Sequence, residues 1–377
     1  MKQLHSVQAL RGIAALAVFL AHLFHYEAGH AGREVLLTNA FIYGVSGVDL
    51  FFVISGFIMV WVAGDLPRGI ASARGFLLAR ITRIYPLWWL FASVMVVYLW
   101  IFRGVPWEAA RLDPQDLDGV THLIKSYLLW PQADHPVLGV GWTLVHEMYF
   151  YLGFALLLFL LPARSRLLGV ISWGGLLLIA AFLGLSDGFG TELGKLIFHP
   201  LTFEFVLGAL VGFMIKAGWH KFAVTSFILG VSGFLIGLFL IAEIDSGAIF
   251  APLASPPFSG AWTHVLLFGI PTALLLYGVV ALELQEKLRP FLPKALVNIG
   301  DWSYALYLCH SLTVAFVGRI TYGLIGSDQI WKVGLYLAST TIATFIIAAL
   351  SYHWFERPVI RFFRQWRSPP PPIQDSE

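Results

Sequence analysis

The chain is a succession of long apolar runs separated by short polar intervals. Read with the window of about 20 mainly apolar residues that a membrane helix requires, ten runs stand out: residues 8–26, 44–63, 86–103, 141–161, 167–185, 199–217, 222–242, 263–282, 302–320 and 331–353. Each is long enough to cross a bilayer as a helix, the one open-ended element that satisfies all its backbone hydrogen bonds internally. An even number of spans puts both termini on one side. The basic residues test this independently, because cytoplasmic loops are enriched in Lys and Arg. With the N-terminus inside, 17 of the 24 basic residues fall on cytoplasmic segments; Arg33, Arg103, Arg111, Lys125, Lys195, Arg319 and Lys332 fall outside. The pattern predicts an all-α polytopic membrane protein of about ten transmembrane helices, with cytoplasmic N- and C-termini and one integral-membrane domain over residues 1–367.

The intervals add detail. Residues 104–140, the longest external segment, carry Glu108, Asp113, Asp116, Asp118 and Asp134 against Arg111 and Lys125, a composition suited to a cap or a partner surface. Residues 368–377 begin with Ser368 and the run Pro369 to Pro372, and read as a disordered polyproline tail on the cytoplasmic side. The apolar start resembles a signal peptide, but Arg11 abuts its core, His22 and His25 sit in its far end, and no clear small-residue cleavage site follows. It reads as a retained first helix.

Composition narrows the function classes. The chain is 58% hydrophobic and 12% charged, against about 25% charged in soluble domains, so a soluble enzyme is excluded. So is a nucleic-acid partner recruited by a basic face. The single cysteine, Cys309, allows no intrachain disulfide and no cysteine-built metal centre, and no metal site is expected.

Ionisable side chains within spans are costly to insert, about 2.5–3.5 kcal/mol each, and default to a functional reading. Counted from the outer ends of their spans, His22, Asp49, Glu147 and Glu204 lie four to six residues deep in four different helices. That shared level predicts one polar cavity in the outer half of the membrane. Arg11 precedes His22 by eleven residues, within about 20° of three full turns, so both project from one helix face about 16 Å apart. The face links the cytoplasmic surface to the polar level and suits an anionic donor entering from inside. A neutral imidazole is the natural base for a hydroxyl, with Asp49 or Glu147 orienting it. Arg80 and Arg83, at i and i+3 just before Pro86, suit bidentate phosphate capture. The same intramembrane His, Asp and Glu residues would also serve a proton-coupled transporter or flippase, and a noncatalytic membrane scaffold is a third reading.

These residues also carry a resemblance. QALRGIAALAVFLAHLFHY (8–26), GVDLFFVISGFIM (47–59), RITRIYPLW (80–88), GWTLVHEMYFY (141–151), SYALYLCHSL (303–312) and FERP (355–358) occur in the order of the membrane-bound acyltransferase 3 family, which the chain resembles over nearly its whole length. The resemblance implies an integral-membrane O-acyltransferase of a bacterial inner membrane. It would take an acyl group, acetyl by expectation, from cytoplasmic acyl-CoA and place it on a hydroxyl of a surface polysaccharide or lipid-linked glycan. Acyl-CoA is then the donor substrate rather than a resident cofactor. Carried over by position, His22 would be catalytic with Arg11 as its partner, Arg80 and Arg83 would bind the donor, and Glu147 with an SGF loop at Ser55, Gly56 and Phe57 would support the site. Trp142, Tyr304, Tyr307 and His310 are alternative donors to the charge developing on the thioester oxygen. Direct transfer and a covalent acyl-histidine both fit these residues.

Overall fold

A computed structural model describes residues 4–31, 41–102, 117–245, 260–288, 292–325 and 330–364. Its elements follow the apolar runs: α1 (His5–Ala31), α2 (Gly47–Ala63), α3 (Ile70–Ile101), α4 (Leu117–Leu128), α5 (Trp142–Leu160), α6 (Ala163–Phe182), α7 (Glu192–Ile197), α8 (Thr202–Lys216), α9 (Ala223–Asp245), α10 (Ala261–Leu284), α11 (Lys294–Ile325) and α12 (Ile330–Ser351). Among the described residues nine helices are long and apolar enough to cross a membrane, and no strand occurs. The chain is an all-α polytopic membrane protein. The expected span 302–320 lies in α11, a 32-residue helix long enough to cross but more polar than the nine. Its polarity comes from the side chains it brings to the site. The expected tail at 368–377 lies outside the described residues, as do residue 103 at the end of the expected span and residues 104–116 of the expected external segment.

Packing follows small residues and capped helix ends. The closest helix pairs are α1 with α11, α2 with α8, α9 with α10, and α11 with α12. Between α2 and α8 the backbones touch reciprocally: a Cβ at Gly56 would collide with the Phe205 carbonyl, and one at Gly208 with the Val53 carbonyl. Lipid gives apolar side chains little incentive to associate, so such close backbone approach is what holds membrane helices together. Gly56→Ala and Gly208→Ala should each destabilise the protein by about 1–3 kcal/mol, the usual cost of overpacking, read as a lower thermal midpoint of the detergent-purified protein. Midpoints at the wild-type value would mean that the two helices are not in backbone contact.

Side chains satisfy the orphan backbone groups at helix ends. The Glu283 carboxylate accepts from the His5 and Ser6 backbone N–H groups at 2.9 and 2.8 Å, closing the start of α1. Arg166, counted in a loop by the sequence pattern, sits inside α6, wholly buried, and donates to the Gly64 carbonyl just past α2 at 2.8 Å. The carbonyls of Ser126, Tyr127 and Leu128, which end α4, accept from Trp88 Nε1, Trp89 Nε1 and the Tyr85 hydroxyl at 3.1, 3.0 and 2.9 Å. These bonds dock the described part of the external segment onto α3.

Two expected boundaries move. Residues 86–103 were read as a span starting at Pro86, but α3 begins at Ile70 and runs through Pro86 without ending. A proline lacks only one N–H, and neighbouring helices tolerate that loss in a membrane; α11 packs against this stretch, with Tyr304 donating to the Ile84 carbonyl at 2.7 Å. Arg80 and Arg83 therefore stand on a rigid helix, not a loop. The SGF segment is likewise not a loop: Ser55, Gly56 and Phe57 occupy the middle of α2.

Candidate active site

Three helices carry stripes of residues one turn apart that line two successive cavities. On α1, Gln8 and Arg11 line the first, while Val18, His22 and Tyr26 line the second. On α2 the stripe Val48, Phe51, Phe52, Ser55, Ile58, Met59 and Val62 lines the first, and Val48 and Asp49, with Val45 of the 3-10 turn just before the helix, line the second. On α11, Ser303, Tyr304 and Tyr307 line the first, and Tyr307, Ser311 and Ala315 the second. The i, i+3, i+4 spacing keeps each stripe on one helix face. The cavities, of about 300 and 520 Å³, follow one another along the bundle, and Val48 and Tyr307 line both.

The first cavity collects the arginines. Arg11, Arg80 and Arg83 line it together with Glu147, Ser55, Thr143 and Tyr151. Arg11 Nη1 donates to Gln8 Oε1 at 3.0 Å, and the Arg80 guanidinium lies 5.6 and 5.7 Å from the ring centres of Phe76 and Tyr151. Glu147 Oε1 accepts from Ser55 Oγ at 2.8 Å and from the Tyr151 hydroxyl. Glu356, buried at the π-helical turn Tyr352–Glu356, interacts electrostatically with Arg83 and Arg11. Three guanidinium groups in one cavity, held by aromatic faces and flanking carboxylates, are the donor set that suits a phosphate-bearing anion.

The second cavity holds the histidines. His22 Nδ1 is 2.9 Å from the Val18 carbonyl one turn back. A carbonyl only accepts, so Nδ1 bears the proton and Nε2 keeps its lone pair. The His310 ring packs edge-on against His22, centroids 4.9 Å apart, and its Nδ1 bonds the Leu306 carbonyl at 3.2 Å. Asp49 is 97% buried and lies 3.3 Å from His264 Nδ1. His122, His135, Pro136 and Val137, from the segment expected outside, line the same cavity, so the described part of that segment caps it.

The expected single polar cavity is therefore two. His22 and Asp49 share one; Glu147 belongs to the other, and Glu204, fully buried and interacting with Asp49, lines neither. Counting depth along a helix leaves azimuth undetermined. Glu147 lies five residues, about 140° around the helix, from Trp142, so Trp142 faces the histidines while Glu147 joins Thr143 on the arginine side. Neither Asp49 nor Glu147 orients His22; the Val18 carbonyl does, and Asp49 pairs with His264. Of the SGF residues only Ser55 reaches a cavity, since Gly56 meets Phe205 and Phe57 is fully buried, stacked on Trp61. His264 was missed, although as an ionisable residue at the start of an apolar run it carried the same signal as Asp49.

The four alternative oxyanion donors separate by what they already bond. Tyr304 donates to the Ile84 carbonyl. The Tyr307 hydroxyl lies 2.9 Å from Thr143 Oγ1 and 3.1 Å from the Val140 carbonyl, and Thr143 Oγ1 is itself 3.0 Å from that carbonyl. His310 has its Nδ1 proton on Leu306. Trp142 lines the histidine cavity and makes ring contacts with Phe52 and His146, and among the described residues its Nε1–H has no hydrogen-bond partner.

A family model described as an acyltransferase domain matches residues 4–353. The exopolysaccharide production protein ExoZ of Rhizobium meliloti is 32% identical over 332 residues, covering 85% of this chain and 91% of that protein. The acyltransferase MdmB of Streptomyces mycarofaciens is 26% identical, covering 97% and 94% of the two chains. The peptidoglycan O-acetyltransferase OatA of Listeria monocytogenes is 23% identical across 95% of this chain and 56% of its own length. No solved structure matches.

Proposed function

We propose, because the chain belongs to the membrane-bound acyltransferase 3 family, that this multi-pass membrane acyltransferase takes its acyl group from cytoplasmic acyl-CoA and transfers it to a hydroxyl of a surface polysaccharide or lipid-linked glycan. Family membership sets aside the proton-coupled transporter and the scaffold. A bacterial inner membrane fits the relatives, with the arginine cavity facing the cytoplasm and the histidine cavity facing out. The observation that carries the reading is that an arginine-lined cavity and a histidine-lined cavity adjoin across two shared wall residues, Val48 and Tyr307.

In this reading Arg80, Arg83 and Arg11 hold the donor's phosphates, whose planar bidentate demand suits guanidinium better than ammonium. The acyl end leads past Val48 and Tyr307. His22 Nε2 takes the proton of the acceptor hydroxyl as its oxygen attacks the thioester carbonyl. The Trp142 indole N–H receives the charge that develops on the carbonyl oxygen. The carbon–sulfur bond breaks, the ester remains on the acceptor, and the proton on His22 passes to the departing thiolate. His264, fixed by Asp49, lies across the same cavity and positions acceptor hydroxyls.

Transfer of labelled acetyl from acetyl-CoA to glycan in inverted membrane vesicles tests this. Arg80→Ala and Arg83→Ala should each raise KM for acetyl-CoA about tenfold or more, the worth of a charge-assisted phosphate contact, and lysine at either position should restore only part of it. No acyl transfer by the wild type, or arginine variants with unchanged KM, would overturn the donor assignment.

A further inference from the structure

The cavity walls suggest how the acyl group is chosen. In the donor reading the acyl end goes from the arginine cavity to His22, and the two residues common to both walls, Val48 of α2 and Tyr307 of α11, stand where the cavities adjoin. Tyr307 is not a free rotor. Phe51 packs edge-on against its ring at 5.8 Å, His310 lies at 5.7 Å, and its hydroxyl sits in the triangle with Thr143 Oγ1 and the Val140 carbonyl. Two hydroxyl protons serve three contacts there, so whichever hydroxyl donates to the carbonyl, the other can donate to its fellow hydroxyl. The ring is latched from Thr143 on the arginine side to Val140 on the histidine side. Val48, β-branched and on a helix, is confined to essentially one rotamer. Both residues are buried, at 6% and 8% exposure, so neither swings into solvent.

We propose that Val48 and Tyr307 form a rigid throat that selects the acyl group by cross-section, admitting straight short acyl groups and rejecting those branched next to the carbonyl. The inference rests on the donor reading above and deepens it by naming the substrate class. A throat differs from a blind pocket in what it measures: a pocket limits length, whereas a throat limits width. Butyryl and isobutyryl groups have the same atoms and differ in width near the thioester, so their ratio isolates the throat from the size of the cavity beyond.

The experiment uses the full-length protein in vesicles from its host, lacking the endogenous copy, with labelled acetyl-, butyryl- and isobutyryl-CoA as probes. Wild type should transfer butyryl about tenfold or more faster than isobutyryl, the discrimination one misplaced methyl group produces in a fitted apolar site. Val48→Ala should lower that ratio severalfold and Val48→Ile should raise it; Tyr307→Phe, which keeps the ring and removes the latch, should lower it. Loss of folded protein scales all three rates together and leaves the ratio untouched, so the opposite shifts of the two Val48 variants cannot come from misfolding. Wild type that transfers acetyl but handles butyryl and isobutyryl alike, or a ratio identical in all variants, would overturn the throat while leaving the donor reading intact. Wild type that transfers none of the three defeats the donor reading and the throat with it.

Discussion

His22→Ala should abolish acyl transfer, lowering the rate by about 10³-fold or more, while the protein still inserts and still binds the donor. The size follows from what the side chain supplies. A positioned general base contributes about 10²- to 10⁴-fold, and His22 lines its cavity with the Nδ1 proton on a backbone carbonyl, leaving Nε2 to accept. Alanine is the best helix former, and His22 lies in the continuous helix α1, whose start is closed by Glu283 and which packs along α11. The backbone has no reason to move. Arg11, Arg80 and Arg83 line a different cavity, so donor binding should survive, and initial rates at matched membrane levels alongside labelled acyl-CoA binding separate the two effects. A variant that binds acyl-CoA and transfers at the wild-type rate removes His22 from the chemistry; the Asp49–His264 pair would then be the base to test.

The Arg11 and His22 relation was legible because it needs only helical periodicity within one uninterrupted run, and both residues line the same face in the structure. The positions of the apolar runs were legible for the same reason. What the sequence hid is everything fixed by neighbours far along the chain. Asp49 finds His264 across 215 residues, Arg166 finds the Gly64 carbonyl across 102, and the azimuth of Glu147 depends on where α5 starts after the short 3-10 turn Gly139–Gly141. Pro86 misled because a rule learned in water, that proline ends a helix, weakens where neighbouring helices pack around it. The SGF segment misled differently: the loop was what the resemblance implied, while the apolar run 44–63 already placed it within a span, and Gly56 is there for the backbone of Phe205. Span 302–320 was recognisable by length, while Ser303, Tyr304, Tyr307 and Ser311, which add to its polarity, are side chains that line the cavities.

Trp142→Phe should reduce kcat by about 10²-fold while leaving KM for acyl-CoA near the wild-type value. Of the four groups placed to receive the developing negative charge, Tyr304 and His310 spend their protons on backbone carbonyls and Tyr307 is tied into the Thr143 and Val140 triangle. The Trp142 N–H alone has a proton without a partner among the described residues, in the cavity that holds His22. An indole usually finds an acceptor when it can; one that lines a reaction cavity and has none is free to find it in the transition state, where loss of a single such donor costs about 10²- to 10³-fold. Phenylalanine keeps an aromatic ring against Phe52 and His146 and deletes the N–H, so a thermal midpoint close to wild type should accompany the loss of rate. The split decides the role. A fall in kcat at constant KM means an interaction made only in the transition state, whereas a rise in KM with kcat unchanged would make Trp142 a wall of the acceptor cavity and return the oxyanion to the His310 ring in its protonated form.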